Sequence, residues 1–142
     1  MIDGILSSEI YQVLEKSLNA ASLQHQLISN NIANVDTPGY KRSEVVFQSK
    51  LDALLNQTEK TYLPLKITHQ NHIPIVPNIS IDEIDPEIVL KNETSMRNDK
   101  NNVDIDFEMS KMAENTAYYS TLAQLTTLKL GMLQSVISDG RR

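Results

Sequence analysis

Two apolar seams, one near each end of the 142-residue chain, constrain the fold more than any other feature. Tyr11, Leu14, Leu18, Ala21, His25, Ile28, Ile32 and Val35 recur at alternating steps of three and four. That spacing keeps one face of an α-helix turned toward a partner helix. Leu6, Ile10, Val13, Ala20 and Leu27 form a second stripe beside it. The pattern predicts a helix over residues 10–34, roughly 38 Å long. Ser7 or Ser8 stands ready to cap it. The far end repeats the pattern with Met109, Met112, Thr116, Tyr119, Ala123, Thr126, Leu130, Leu133 and Ile137, flanked by Tyr118, Leu122, Leu125, Met132 and Val136. This second helix is expected over residues 104–138. Asp104 or Asp106 would cap it, and Glu108 in its first turn would complement the helix dipole. Gly131, its single glycine, would permit close approach of another helix.

The intervening stretch is built differently. Four of the five prolines lie between residues 41 and 103. FQSKLDALL, residues 47–55, reads as a short helix. YLPLKIT, HIPIVP and ISIDEI read as short extended runs whose prolines confine them to edges. NETSMRNDKNN, residues 92–102, reads as a mobile polar loop. The expected fold is therefore mainly α. Residues 1–40 and 104–142 supply two long terminal helices paired as an antiparallel coiled coil, and residues 41–103 form an irregular insertion with short strands. Two helices cannot cover apolar surface this wide, so the chain reads as built for assembly.

Composition narrows the function. A net charge of −5 argues against nucleic-acid binding. The absence of cysteine rules out a disulfide framework and a cysteine–zinc site. MIDGILSSEIYQ lacks the basic and apolar regions of a secretory signal, and no run reaches the ~18 apolar residues of a membrane span. No direct membrane insertion is expected. The chain reads as cytosolic, or as exported by a route that ignores such a signal.

Catalytic chemistry finds little footing. His69 and His72 stand three apart in a proline-flanked segment without further ligands, and His25 lies on the first seam as a polar register residue. Asp104 and Asp106 read as a helix cap rather than an acid pair. A hydrolase using Asp104, Asp106 and His72 would lack a nucleophile. Phosphate loops and metalloprotease motifs are absent. No cofactor, metal, small-molecule substrate or enzymatic activity is expected.

One stretch resists a purely structural reading. In SNNIANVDTPGYKR, residues 29–42, Pro38 ends the helix and Thr37-Pro38-Gly39-Tyr40 suits a type II turn, after which Tyr40, Lys41 and Arg42 run out extended. Three asparagines, Asn30, Asn31 and Asn34, remain unexplained, because asparagine favours the helix poorly. The run Ser29, Asn30, Asn31, Ile32, Ala33, Asn34 followed by Thr37, Pro38, Gly39, Tyr40 resembles the N-terminal signature of the bacterial flagellar axial proteins, the rod and hook family. The C-terminal helix is similar to that family's paired terminal helix. The short length, KITHQNHI and VDIDFEM are similar to a small proximal-rod protein of the family, with its other small proximal-rod protein as the alternative.

The resemblance implies a structural subunit of the proximal rod, required for flagellum assembly and motility. Its terminal helices would pair along a seam of Leu14, Leu18, Ala21, Ile28, Ile32, Met112, Tyr119, Ala123, Leu130, Leu133 and Ile137, lining a hollow rod. Its middle would face outward, and copies would form a helical array. Partners would be further copies, other rod proteins, the rod-to-ring adaptor FliE and the export gate. The destination would be the periplasmic rod, reached through the flagellar type III apparatus without a cleaved signal. Asn30, Asn31 and Asn34 would hydrogen-bond neighbouring subunits. A non-polymerising helical adaptor or export chaperone is the competing reading.

Overall fold

The structure is a computed structural model and describes residues 9–59, 81–92 and 98–140. Helix α1 spans Glu9–Ala33, strand β1 Ser43–Val46, helix α2 Gln48–Glu59, strand β2 Glu87–Leu90 and helix α3 Ile105–Asp139. A 3-10 turn at Ile81–Glu83 precedes β2. Ser7 and Ser8, YLPLKIT, HIPIVP, His69, His72 and the basic tail Arg141-Arg142 lie outside the described residues.

The two long helices pair antiparallel. Tyr11 near the start of α1 donates its hydroxyl to the Lys129 carbonyl, 3.3 Å away. Midway, the Asn115 amide donates to the Ala21 carbonyl at 2.9 Å. At the other end Asn31 donates to Glu108 at 3.1 Å. Ala21 and Ile28 are buried on α1, and Leu122 on α3. At 25 and 35 residues, the helices are about 37 and 52 Å long. The last turns of α3 therefore run past the described start of α1. Asp104 caps α3, its carboxylate accepting from the Asp106 and Phe107 amides.

A neighbouring face of α1 carries a small module. Ala20 packs with Phe47, Leu51, Leu54 and Ile84 in one cluster, joined by Val13, Val45 and Ile81. The described part of ISIDEI, residues 81–84, does not run extended there. Ile84 N–H donates to the Ile81 carbonyl, and the turn brings both isoleucines to the same core. Strands β1 and β2 form a two-stranded antiparallel sheet with Ser43 opposite Leu90 and Val45 opposite Ile88. Lys16 on α1 anchors the module by donating to the Ile84 carbonyl at 3.0 Å and to Asp85 at 3.1 Å. Helix α1 thus packs against both α3 and the sheet module, on neighbouring faces.

Gly131 approaches no other part of the described chain. It is exposed, and nothing stands within 4 Å of the place a Cβ would occupy. Replacing Gly131 with alanine should therefore stabilise the isolated protein by about 0.5–1 kcal/mol through helix propensity alone. Leu51→Ala, in the module core, should cost about 2–4 kcal/mol. Urea unfolding of both variants checks the two signs.

Candidate assembly interface

Helix α1 ends at Ala33, and its last carbonyls need partners. Those of Asn30, Asn31 and Ile32 accept locally, from the Asn34 and Val35 N–H groups. The turn that follows is held from more than sixty residues away. The Asn101 side-chain amide lies 2.9 Å from the carbonyl oxygens of Asn34, Val35 and Thr37, which share its two hydrogens. Its oxygen accepts from the Val103 N–H at 2.8 Å. Asn101 is 0% exposed. The backbone reinforces this contact, with Gly39 N–H donating to the Asp99 carbonyl at 2.8 Å. Gly39 has φ +74° and Tyr40 N–H donates to the Thr37 carbonyl, the geometry of a type II turn. Lys100, at φ +61°, takes the left-handed conformation that aims Asn101 inward. Asn102 continues the clasp by accepting from Arg42 N–H and donating to the Lys91 carbonyl. Residues 98–102, expected to belong to a mobile loop, thus tie the end of α1 to both strands.

Asn31 forms a second knot. It is 1% exposed and uses both ends of its amide. Its nitrogen donates to the Ser43 carbonyl at 2.9 Å and to Glu108, and its oxygen accepts from Ser43 N–H at 3.0 Å and the Tyr40 hydroxyl at 3.3 Å. The buried Glu108 carboxylate also faces Arg42 at 3.9 Å. Arg42 pairs with Glu44 at 2.9 Å and lies over the Phe107 ring, 4.7 Å from its centroid. A buried carboxylate needs such compensation. One amide therefore joins α1, β1 and the first turn of α3.

The three asparagines, expected to hydrogen-bond neighbouring subunits, differ in what they do within the subunit. Asn31 is consumed inside its own subunit. Asn34 caps locally, donating to the Asn30 carbonyl at 2.8 Å and accepting from the Thr37 hydroxyl at 3.1 Å. Ser29 donates to the His25 carbonyl, and Asn30 is exposed. Ile32 and Tyr40 are half-buried, whereas Ala33, Thr37, Pro38 and Gly39 are exposed. The expected seam divides similarly. Ala21 and Ile28 are buried, and Leu14, Leu18, Ile32, Met112, Ala123 and Leu133 half-buried. Tyr119, Leu130 and Ile137 face solvent. The buried line of α3 is instead Glu108, Asn115 and Leu122 at intervals of seven, two of them polar. A search for apolar periodicity passes over such positions.

The outer faces of α3 are strongly apolar. Leu125, Leu128, Met132, Val136 and Ile137 are exposed, Val136 at 71%. Between Asn115 and Ser138 the only charged residue is Lys129. A groove of about 400 Å³ near the other end of α3 is lined by Ala21, Arg42, Val45, Phe107, Glu108 and Tyr118 among others. Among the described residues no three His, Asp or Glu side chains gather as a metal site, and no helix is long and apolar enough to cross a membrane. Asp104 serves as the helix cap, Asp106 is exposed, and His25 is exposed on α1.

The clasp and knot should show in stability. Asn101→Ala removes one hydrogen bond from each of three carbonyls and one from the Val103 N–H, and should cost at least about 2 kcal/mol in urea unfolding. Asn31→Ala should cost about as much. Asn30→Ala, at an exposed position, should stay within about 0.5 kcal/mol of the parent. Equal effects at Asn30 and Asn31 would contradict the assigned roles.

Comparison with known proteins concentrates on the same region. The family model described as "Flagella basal body rod protein" matches residues 12–41, which hold most of α1 and its closing turn. The flagellar basal body rod protein FlgB of Bacillus subtilis is 35% identical over 136 residues, covering 96% of this chain and 98% of that protein. FlgB of Borreliella burgdorferi is 34% identical over 108 residues, covering 76% and 80%. FlgB of Proteus mirabilis strain HI4320 is 28% identical over 142 residues, covering 99% and 100%. These matches do not favour a FlgC-type subunit, nor a non-polymerising adaptor or export chaperone. With its helix pair, its amide-held turn and relatives aligned along nearly its whole length, the chain belongs to the flagellar basal body rod protein family.

Proposed function

We propose that this chain is a structural subunit of the proximal rod, the part of the flagellar drive shaft nearest the membrane, and that it assembles through its terminal helices. The observation that carries the reading is the apolar, nearly uncharged outer face of α3, held on a rigid partner helix. Such a face is stable in water only when covered. A helical array of copies, each using unlike surfaces on its two neighbours, would cover it without closing into a ring. The paired helices would line the axial channel and the sheet module would face outward. The exposed members of the motif, Asn30, Thr37 and Pro38, would sit at subunit contacts, while Asn31 and Asn34 hold the turn in shape. Other rod proteins, FliE and the export gate are the partners that fit this position. The route out of the cytoplasm would be the flagellar type III apparatus, with no signal peptide removed and the periplasmic rod as destination.

The test uses Met132→Glu and Leu125→Glu. Both positions are exposed in the subunit, so helicity and unfolding midpoint should change by no more than about 0.5 kcal/mol. Both variants should fail to restore motility to a strain lacking the gene. Cryo-electron microscopy of basal bodies complemented with the parent chain should show it at the base of the rod. Motile cells carrying either variant would overturn assembly through this face. Complete rods without the chain would return the adaptor reading to first place.

A further inference from the structure

The two edges of the small sheet are treated very differently. The edge of β1 that faces α1 is closed by side chains. Asn31 takes both the N–H and carbonyl of Ser43, and Gln24 accepts from Val45 N–H at 2.9 Å. Among the described residues, the far edge of β2 has no such cover. Lys91 N–H donates to the Arg42 carbonyl, which fixes Arg42/Lys91, Glu44/Val89 and Val46/Glu87 as the hydrogen-bonded pairs of the ladder. The N–H and carbonyl groups of Ile88 and Leu90 therefore point away from β1. The two residues are 52% and 60% exposed. An open strand edge with an apolar centre is a template for another strand.

The sequence along that edge says which strand fits. Glu87-Ile88-Val89-Leu90-Lys91 reads acid, three apolar residues, base. It is complementary to itself when reversed. Set antiparallel about Val89, Ile88 faces Leu90 of the second copy and each exchanges both backbone hydrogen bonds. Val89 then meets Val89 of the second copy. Glu87 meets Lys91 and Lys91 meets Glu87 at the two ends. Both charged side chains reach the joint. Glu87 bonds Lys50 at 2.7 Å and remains 61% exposed, and Lys91 stands 3.6 Å from Glu44 with about a third of its side chain exposed. The Lys50 ammonium hydrogen-bonded to Glu87 holds that carboxyl below its usual pKa, and its charge adds to the effect.

We propose that two copies of this chain join edge to edge through β2, in antiparallel register centred on Val89, to form a four-stranded sheet with two-fold symmetry. The contact closes on itself, so it yields a dimer and cannot propagate. It is a state of the subunit outside any helical array, and it does not depend on the rod assignment.

Sedimentation velocity on the full chain, over a concentration series at low salt, tests the register directly. The parent should show a reversible monomer–dimer equilibrium. Glu87→Lys sets two lysines against each other at both ends, and Lys91→Glu sets two glutamates. Each should raise the dissociation constant about tenfold or more. The double swap, Glu87→Lys with Lys91→Glu, should return it to within about threefold of the parent. Neither Lys50–Glu87 nor Lys91–Glu44 is restored in the double swap, so recovery reports only the contact between copies. Circular dichroism should show unchanged helicity in all variants. A parent that stays monomeric, or an association unmoved by either single swap or not rescued by the double, overturns the proposal.

Discussion

The structure depends on the way the C-terminal end of α1 is satisfied. The turn that closes α1 after Ala33 brings the carbonyls of Asn34, Val35 and Thr37 to one point, and buried carbonyls that lose hydrogen bonds are costly. Asn101 meets three backbone carbonyls with one amide, from the strand-like approach to α3. Because that amide sits three residues ahead of the Asp104 cap, the stop signal of one long helix and the start signal of the other are a single construction. The antiparallel register follows from it. Once residues 34–37 and 101–103 are clasped, Asn31 falls beside Glu108, Ala21 beside Asn115, and Tyr11 beside Lys129.

Register is fixed by polar contacts at some expense in stability. Two of the three buried positions at intervals of seven on α3 are Glu108 and Asn115, where leucines would bury more apolar surface. Leucine, though, would tolerate sliding by a heptad. An amide that must find the Ala21 carbonyl does not. Among the described residues the core that remains is thin. It consists of Ala20, Phe47, Leu51, Leu54 and Ile84 under the sheet, and little more than Ala21, Ile28 and Leu122 along the helix pair. A monomer built this way has well-defined geometry and little reserve, and further stability has to come from surfaces it presents to others.

The long helices were legible because their seams are long and strongly periodic. The 10–34 and 104–138 spans differ from α1 and α3 by one residue at each end. The Asp104 cap and the type II turn were legible because each rests on local chemistry, a carboxylate before free N–H groups and a Pro-Gly pair. The two strands were placed less well. Ser43–Val46 carries only two apolar residues, and its pairing with Glu87–Leu90 spans a separation no local pattern reports. The roles of the asparagines were the least legible. Asn30, Asn31 and Asn34 are chemically alike, and the helical phase that buries one and exposes another depends on where β1 and α3 pack. Asn101 lies in a polar run that reads as solvent-facing, although its side chain is fully buried.

Two kinds of contact symmetry meet in one small chain. The outer face of α3 presents apolar residues along many turns, with no change of charge to mark a centre, so a neighbour can seat on it displaced along the axis. That is the property an open helical array needs. The edge of β2 is the opposite case. It is five residues long, with opposite charges at its ends, and is complementary to its own reverse. A surface of that kind has a natural two-fold point and fixes its own stopping place. The two surfaces are also apart: the strand region meets α3 only near its start, at Phe107 and Glu108, whereas the exposed apolar residues run from Leu125 to Ile137 toward its other end. Pairing through β2 would leave that face open, and covering that face would make no use of the β2 edge.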